Sequence, residues 1–258
     1  MNVKQLFDLG GRVALVTGGS RGLGLQMAEA LGEMGARLAL TSRKKDELDQ
    51  AMEHLTQMGI EASAWVCDIG KREQIAPVVD QILAKLGKVD ILVNNAGATW
   101  GAPAEDHPLD AWDKLVNVNL TGTFIISQMI AKKSMIPGKW GRIINTASVA
   151  GVSASDPRVA ATLAYTATKH GVVGITRQLA AEWGEHGITV NAICPGFFPT
   201  KMTRATLDTA GELVRQVTPT RRLGNEEDLK GLAVLLASEA SRHITGQAIA
   251  VDGGATII

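Results

Sequence analysis

The chain has 258 residues, 45% of them hydrophobic and 20% charged, enough to bury a sizeable core in one domain over 1–258. Its 26 basic residues balance its 26 acidic ones, which excludes the global field of a nucleic-acid or anionic-membrane binder. No apolar run approaches the roughly 20 residues that cross a bilayer.

Met1 to Gly11 carries neither a basic n-region nor a long apolar stretch, so no secretory leader is expected there. The two cysteines, Cys67 and Cys194, sit in apolar runs without disulfide-framework spacing. They read as reduced, buried thiols of a cytoplasmic protein.

The first predicted strand is Arg12–Thr17, and Thr17-Gly18-Gly19-Ser20-Arg21-Gly22-Leu23-Gly24 follows it. A helix is predicted over Leu23–Met34. Glycine allows the backbone to approach a ligand closely, and the helix N-terminus offers free N–H groups to a pyrophosphate. A tight turn without a ligand would use similar residues. The second strand, Arg37–Ser42, ends at Thr41-Ser42-Arg43. An acid at this place would hydrogen-bond the ribose 2′-hydroxyl of NAD, whereas an arginine accepts the 2′-phosphate of NADP. No acid stands there. Ser42 does not repel a phosphate, and Arg43 and Arg21 could both reach one, so NADP(H) is expected. Both arginines could equally be solvated. Arg43-Lys44-Lys45 runs directly into Asp46-Glu47 and reads as the solvated start of the next helix, Lys45–Met58.

The third strand, Ala62–Cys67, is followed by Asp68-Ile69 and a helix over Arg72–Leu86. The fourth, Ile91–Asn94, runs into Asn95-Ala96-Gly97, and helical patterns then cover Leu109–Met135. The fifth, Arg142–Thr146, ends near Ser148, whose hydroxyl could hydrogen-bond a substrate carbonyl and strengthen as charge develops on that oxygen. A helix over Ala161–Trp183 carries Tyr165, the single tyrosine, and Lys169 four positions on, hence on one helical face. A free phenol has a pKa of about 10 and is a poor base near neutrality. A neighbouring ammonium would favour the phenolate. The sixth strand, Thr189–Ile193, precedes Pro195-Gly196. The irregular stretch 197–220 reads as a mobile lid, and Ala248–Val251 closes the sheet before Asp252-Gly253-Gly254. Several strands are apolar on both faces. The alternation predicts a doubly wound α/β fold: seven parallel strands with helices on both sides.

Gly18, Gly22 and Gly24, followed in order by Asn94-Asn95-Ala96-Gly97, Asn119, Ser148, Tyr165-x-x-x-Lys169, Pro195-Gly196 and Asp252-Gly253-Gly254, resemble the short-chain dehydrogenase/reductase family over nearly the whole chain. The resemblance implies a catalytic set of Asn119, Ser148, Tyr165 and Lys169. Lys169 would also hold the nicotinamide ribose, and Asn119 a water behind it, with Asn117 the nearest competitor. It implies a cofactor site of Gly18, Ser20, Arg21, Gly22, Leu23, Gly24, Ser42, Arg43, Asp68, Ile69, Asn95, Ala96, Gly97, Tyr165, Lys169, Pro195, Gly196, Phe198 and Thr200. Asp68 would meet the adenine amino group and could also cap its own turn. No metal is expected.

By position, the substrate wall comprises Thr99, Trp100, Ser148, Val149, Phe197 and Met202, largely apolar and aromatic. The substrate would be a small carbonyl compound or alcohol. A general ketone reductase, a 3-oxoacyl carrier-protein reductase and a gluconate 5-dehydrogenase-like enzyme all fit, and a redox-silent dinucleotide sensor is the remote alternative. Lys133 matches one basic position of carrier-binding relatives, but Ala181 stands at the other. Extra residues around Asp156–Val159 are expected to bulge outward or, instead, to reshape the cleft mouth. The resemblance also implies a homotetramer assembled through Leu109–Met135 and Ala161–Trp183.

Overall fold

The computed structural model describes residues 1–257. A short helix, α1 (Val3–Phe7), precedes β1 (Val13–Thr17), α2 (Gly22–Glu33) and β2 (Arg37–Ser42). Next come α3 (Lys45–Gln57), β3 (Ala62–Val66), α4 (Arg72–Leu86) and β4 (Ile91–Asn94). The helical run over 109–138 holds α5 (Leu109–Leu115), α6 (Gly122–Ile130) and α7 (Ile136–Gly138). Wider π turns at Val116–Thr121 and Ala131–Met135 join them. After β5 (Gly141–Thr146) come α8 (Leu163–Trp183), β6 (Ile188–Pro195), α9 (Arg204–Val217), α10 (Lys230–Ala237) and β7 (Ala248–Val251).

The strands pair in the order β3-β2-β1-β4-β5-β6-β7, all parallel. Alternation along β1 explains why both faces are covered. Val13 and Leu15 join Ile75, Val79 and Ile82 of α4 and Ile126 and Ile130 of α6. Ala14 and Val16 face the opposite way, against Met27 and Leu31 of α2 and Leu48 and Leu55 of α3. Strands apolar on both sides bury about 25 cal/mol of stabilisation per Å² twice over, which is why this sheet lies between two helical layers.

Strand order reverses between β1 and β4, and this is where a crevice opens in such sheets. Here the two strand ends are stapled together. The Thr17 hydroxyl accepts the N–H groups of Asn95 and Ala96 at 3.0 and 3.1 Å. The Asn95 amide donates back to the carbonyls of Thr17 and Gly18 at 3.2 and 3.1 Å.

One stretch is more regular than expected, and another takes the second of its two expected courses. The stretch 197–220 is mostly helix, because α9 packs Ala210, Gly211 and Val214 inward along one face. Asp156–Val159 does not bulge away from the cleft: Asp156 and Val159 line a cavity, while Arg158 turns outward and ion-pairs with Asp156 at 2.6 Å. Both cysteines are buried and free. No helix among the described residues is long and apolar enough to cross a membrane.

Candidate active site

Two cavities meet above the carboxyl ends of the strands. The first runs from Ser42 and Arg43 at one end to Tyr165 and Lys169 at the other. Its floor is the glycine turn, where Gly18 and Gly22 take positive φ angles of 63° and 53° that side chains disfavour. The Gly18 N–H is fixed to the Thr41 carbonyl at 2.7 Å. No side chain caps α2, so its first N–H groups are free to face an anion. Ser20, Arg21 and Leu23 line this cavity, as do Ile69, Ala96 and Gly97. Gly24 does not. A Cβ there would lie 2.3 Å from the Gly18 carbonyl oxygen, so Gly24 brings α2 close to the turn instead of touching a ligand.

At the far end the Ser20 and Ser42 hydroxyls are bonded at 3.0 Å, and Arg43 stands exposed at the rim. Sequence reasoning missed Glu47 and Lys201 here. Glu47 accepts a hydrogen bond from Arg21 Nη1 at 2.8 Å, with Lys44 Nζ at 3.5 Å and Lys201 Nζ at 3.9 Å. Asp68 lines the cleft and also accepts the Gly70 N–H at 3.1 Å, so it closes its own turn. Asn95 lines the cleft while its amide clamps the glycine turn. Pro195, Gly196, Phe198 and Thr200 complete the wall beside the chemical end. This shape, with a glycine cradle at its middle and cations at one end, fits a phosphorylated dinucleotide.

Four polar side chains gather at the other end. Lys169 Nζ, buried, donates to the Thr146 carbonyl at 2.6 Å and lies 5.5 Å from the Tyr165 ring centre. The Ser148 hydroxyl accepts the Ala150 N–H at 3.1 Å, which fixes its rotamer at the start of a short 3₁₀ turn. Asn119 sits inside the first π turn, a wider coil often found at functional positions. It is 1% exposed, and its amide exchanges hydrogen bonds with Ala98 and donates to the Thr168 hydroxyl at 3.1 Å. Asn117 points elsewhere and accepts from Arg72 at 3.2 Å. The structure therefore brings Asn119 to the cluster and leaves Asn117 out.

Burial dominates the electrostatics. It pushes the Tyr165 phenol above its ordinary value, the neighbouring Ser148 hydroxyl pulls the other way, and Cys194 adds to the rise. Burial of the phenol outweighs the expected acidification by an ammonium, and that amine is desolvated too. Burial drives Lys169 down from 10.5 to about 8, with Cys194 opposing. Since the amine titrates lower when folded, the unfolded chain holds more protons between about pH 8 and 10.5. Stability from this group accordingly rises with pH across that window. Lys169→Met is expected to melt above the wild-type chain at pH 7, with the gap closing toward pH 10 in thermal scans. A gap that widens with pH contradicts the assignment.

Ser148 and Tyr165 line both cavities. In the second they meet Thr99, Val149, Phe197 and Met202. Trp100 lines neither cavity and is 49% exposed, because the loop's contact with the body is the pairing of Ala102 with Thr162. The wall is also less apolar than expected. Ser153, Ser155, Thr206, Thr220 and Asp252 line it, contributed by the 149–164 loop, α9 and the chain after α9 and β7. Nothing in their spacing marks them as neighbours. Lys133 is ion-paired with Asp80, and Ala181 is exposed.

The family model for short chain dehydrogenases matches residues 12–211. The gluconate 5-dehydrogenase of Gluconobacter oxydans is 38% identical over 259 residues, covering 100% of this chain and 99% of the relative. A 3-oxoacyl-[acyl-carrier-protein] reductase of Pseudomonas aeruginosa is 37% identical over 247 residues, covering 96% and 98%. Among solved structures, a gluconate 5-dehydrogenase from Burkholderia cenocepacia in complex with NADP and tartrate superimposes with a TM-score of 0.94 at 36% identity, covering 100% of both chains.

Proposed function

This chain belongs to the short-chain dehydrogenase family, and from that premise we propose an NADP(H)-dependent oxidoreductase interconverting a ketone and a secondary alcohol, with Tyr165 as general acid and base. The observation that carries the proposal is that Ser148 and Tyr165 stand where a dinucleotide cleft opens into a second cavity. When bound, the nicotinamide would supply or take up the hydride.

The chain's own groups do the rest. Ser148 holds the substrate oxygen by a hydrogen bond that strengthens as charge accumulates there. Tyr165, kept protonated by burial, gives that oxygen a proton in the reductive direction. Lys169 holds the nicotinamide ribose and stabilises the phenolate left behind. Asn119 holds a water behind Lys169 through which the proton is replaced.

Coenzyme choice follows from the far end. Arg43 donates a charge-assisted hydrogen bond to the 2′-phosphate, which is worth roughly tenfold to a hundredfold in affinity. Arg43→Ala is expected to lower kcat/KM with NADPH by that factor and to leave NADH kinetics within about twofold. Equal loss with both coenzymes contradicts this assignment.

A sugar-acid substrate is a second reading, favoured by the hydroxyl-lined wall of Ser153, Ser155, Thr206 and Thr220 and by the gluconate dehydrogenases that the chain resembles. A carrier-protein partner is disfavoured, since Asp80 neutralises Lys133. Following reduced-cofactor absorbance with 5-ketogluconate, an acetoacetyl thioester and aryl ketones separates these readings. Cofactor binding without turnover on all of them would favour a sensor. We place the enzyme in the cytoplasm, in keeping with two free buried thiols. We also assign it a homotetramer, supported by the exposed Leu109, Phe124 and Leu163 on α5, α6 and α8.

A further inference from the structure

Four cations border the far end of the dinucleotide cleft: Arg21, Arg43, Lys44 and Lys201. Such a surplus of positive charge would ordinarily repel itself and be solvated separately. Instead, three of them converge on one carboxylate. Glu47 takes Arg21 at 2.8 Å, Lys44 at 3.5 Å and Lys201 at 3.9 Å. The side chain of Glu47 is only 16% exposed, while those of Arg21, Lys44 and Lys201 are 46%, 55% and 67% exposed. The anion is therefore the held member of the group, and the cations are the ones free to turn.

Glu47 occupies the first turn of α3, directly beyond Ser42 and Arg43, and lines the same cavity. A phosphate group arriving at Ser42 would seek Arg21, Lys44 and Lys201, which Glu47 already engages. It would also sit near a fixed negative charge. We propose that Glu47 is a built-in competitor for the 2′-phosphate: it occupies the cations when no phosphate is present and thereby limits selectivity for a 2′-phosphorylated ligand. The inference rests on the NADP(H) reading above, but it concerns a residue that recognition of the phosphate does not itself require.

Size and sign follow from Coulomb's law. A phosphate monoester carries about −1.5 to −2 charges near neutrality. Removing a unit charge a few ångströms from it, at the water-like dielectric of an exposed rim, is worth about tenfold in dissociation constant. The effect should shrink with added salt, because these side chains are accessible to counterions.

Calorimetric titration of the full chain with adenosine 2′,5′-bisphosphate and with AMP tests this without catalysis. Glu47→Gln should bind the bisphosphate about tenfold more tightly than wild type at low ionic strength, with AMP affinity within twofold. Glu47→Asp, which keeps the charge, should stay near wild type. A glutamine variant whose bisphosphate affinity is unchanged or weaker overturns the inference, the latter because it would make Glu47 an organiser of Arg21. The NADP(H) reading fails separately, if wild type binds AMP as tightly as the bisphosphate.

Discussion

Tyr165→Phe is expected to lower kcat about a thousandfold while leaving the dissociation constant for the reduced cofactor within twofold. The variant keeps the aromatic ring, so the half-buried packing at the head of α8 is preserved and only the hydroxyl is lost. Ser148 can still hold a carbonyl oxygen and polarise it, which leaves residual turnover above the uncatalysed rate. What disappears is the phenol that lines both cavities beside Ser148 and whose pKa burial raises. Pre-steady-state traces of cofactor absorbance, combined with a separate binding titration, distinguish this from a binding defect. A loss that appears in KM alone would mean that the phenol positions substrate without moving a proton.

Gly24→Ala is expected to act on the opposite end of the logic, removing dinucleotide affinity by more than a hundredfold and lowering Tm by roughly 8 °C. The added carbon would lie 2.3 Å from the Gly18 carbonyl oxygen and 2.4 Å from the Asn95 amide nitrogen. Neither partner is a flexible tip. The Gly18 oxygen belongs to the turn, and the Asn95 amide is already clamped to it and to Thr17. To admit the methyl group, α2 must move away from the end of β1, carrying its free N–H groups off the phosphate position. Gly22→Ala makes the useful contrast. The space there is open to 3.7 Å, at the Thr200 side chain, so its cost is the strain of φ 53° alone and its effect should be milder. Wild-type affinity in Gly24→Ala would show that the turn tolerates displacement.

The sheet was legible because its signal is local. Runs such as Val13–Thr17 and Ile91–Asn94 are apolar on both faces, and only a strand covered twice has a use for that pattern. Tyr165 and Lys169 were legible because helical spacing alone sets them on one face. Glu47 was not, since an acid in the first turn of a helix is ordinarily explained by the helix dipole. Its ties to Arg21 and Lys201 join three separate segments. Trp100 was misplaced for a related reason: position along a loop does not say which way the loop folds, and here Ala102 pairs with Thr162. The segment 197–220 looked irregular because Gly211, Thr206 and Thr209 interrupt an amphipathic helix whose inward face is short. The electrostatics were legible least of all. Four-residue spacing shows that an amine is near a phenol, but not that both are desolvated, and burial reverses the naive direction for the phenol.

Transfer of a label tests the central claim most directly. NADPH carrying deuterium at both C4 positions is incubated with the ketones named above, and the alcohol product is analysed by mass and by NMR. Wild type should deliver the deuterium to the carbinol carbon of at least one product, and Tyr165→Phe should deliver almost none in the same time. Cofactor oxidation without label in the alcohol, or equal transfer by the two proteins, would contradict a hydride exchange completed by the Tyr165 proton.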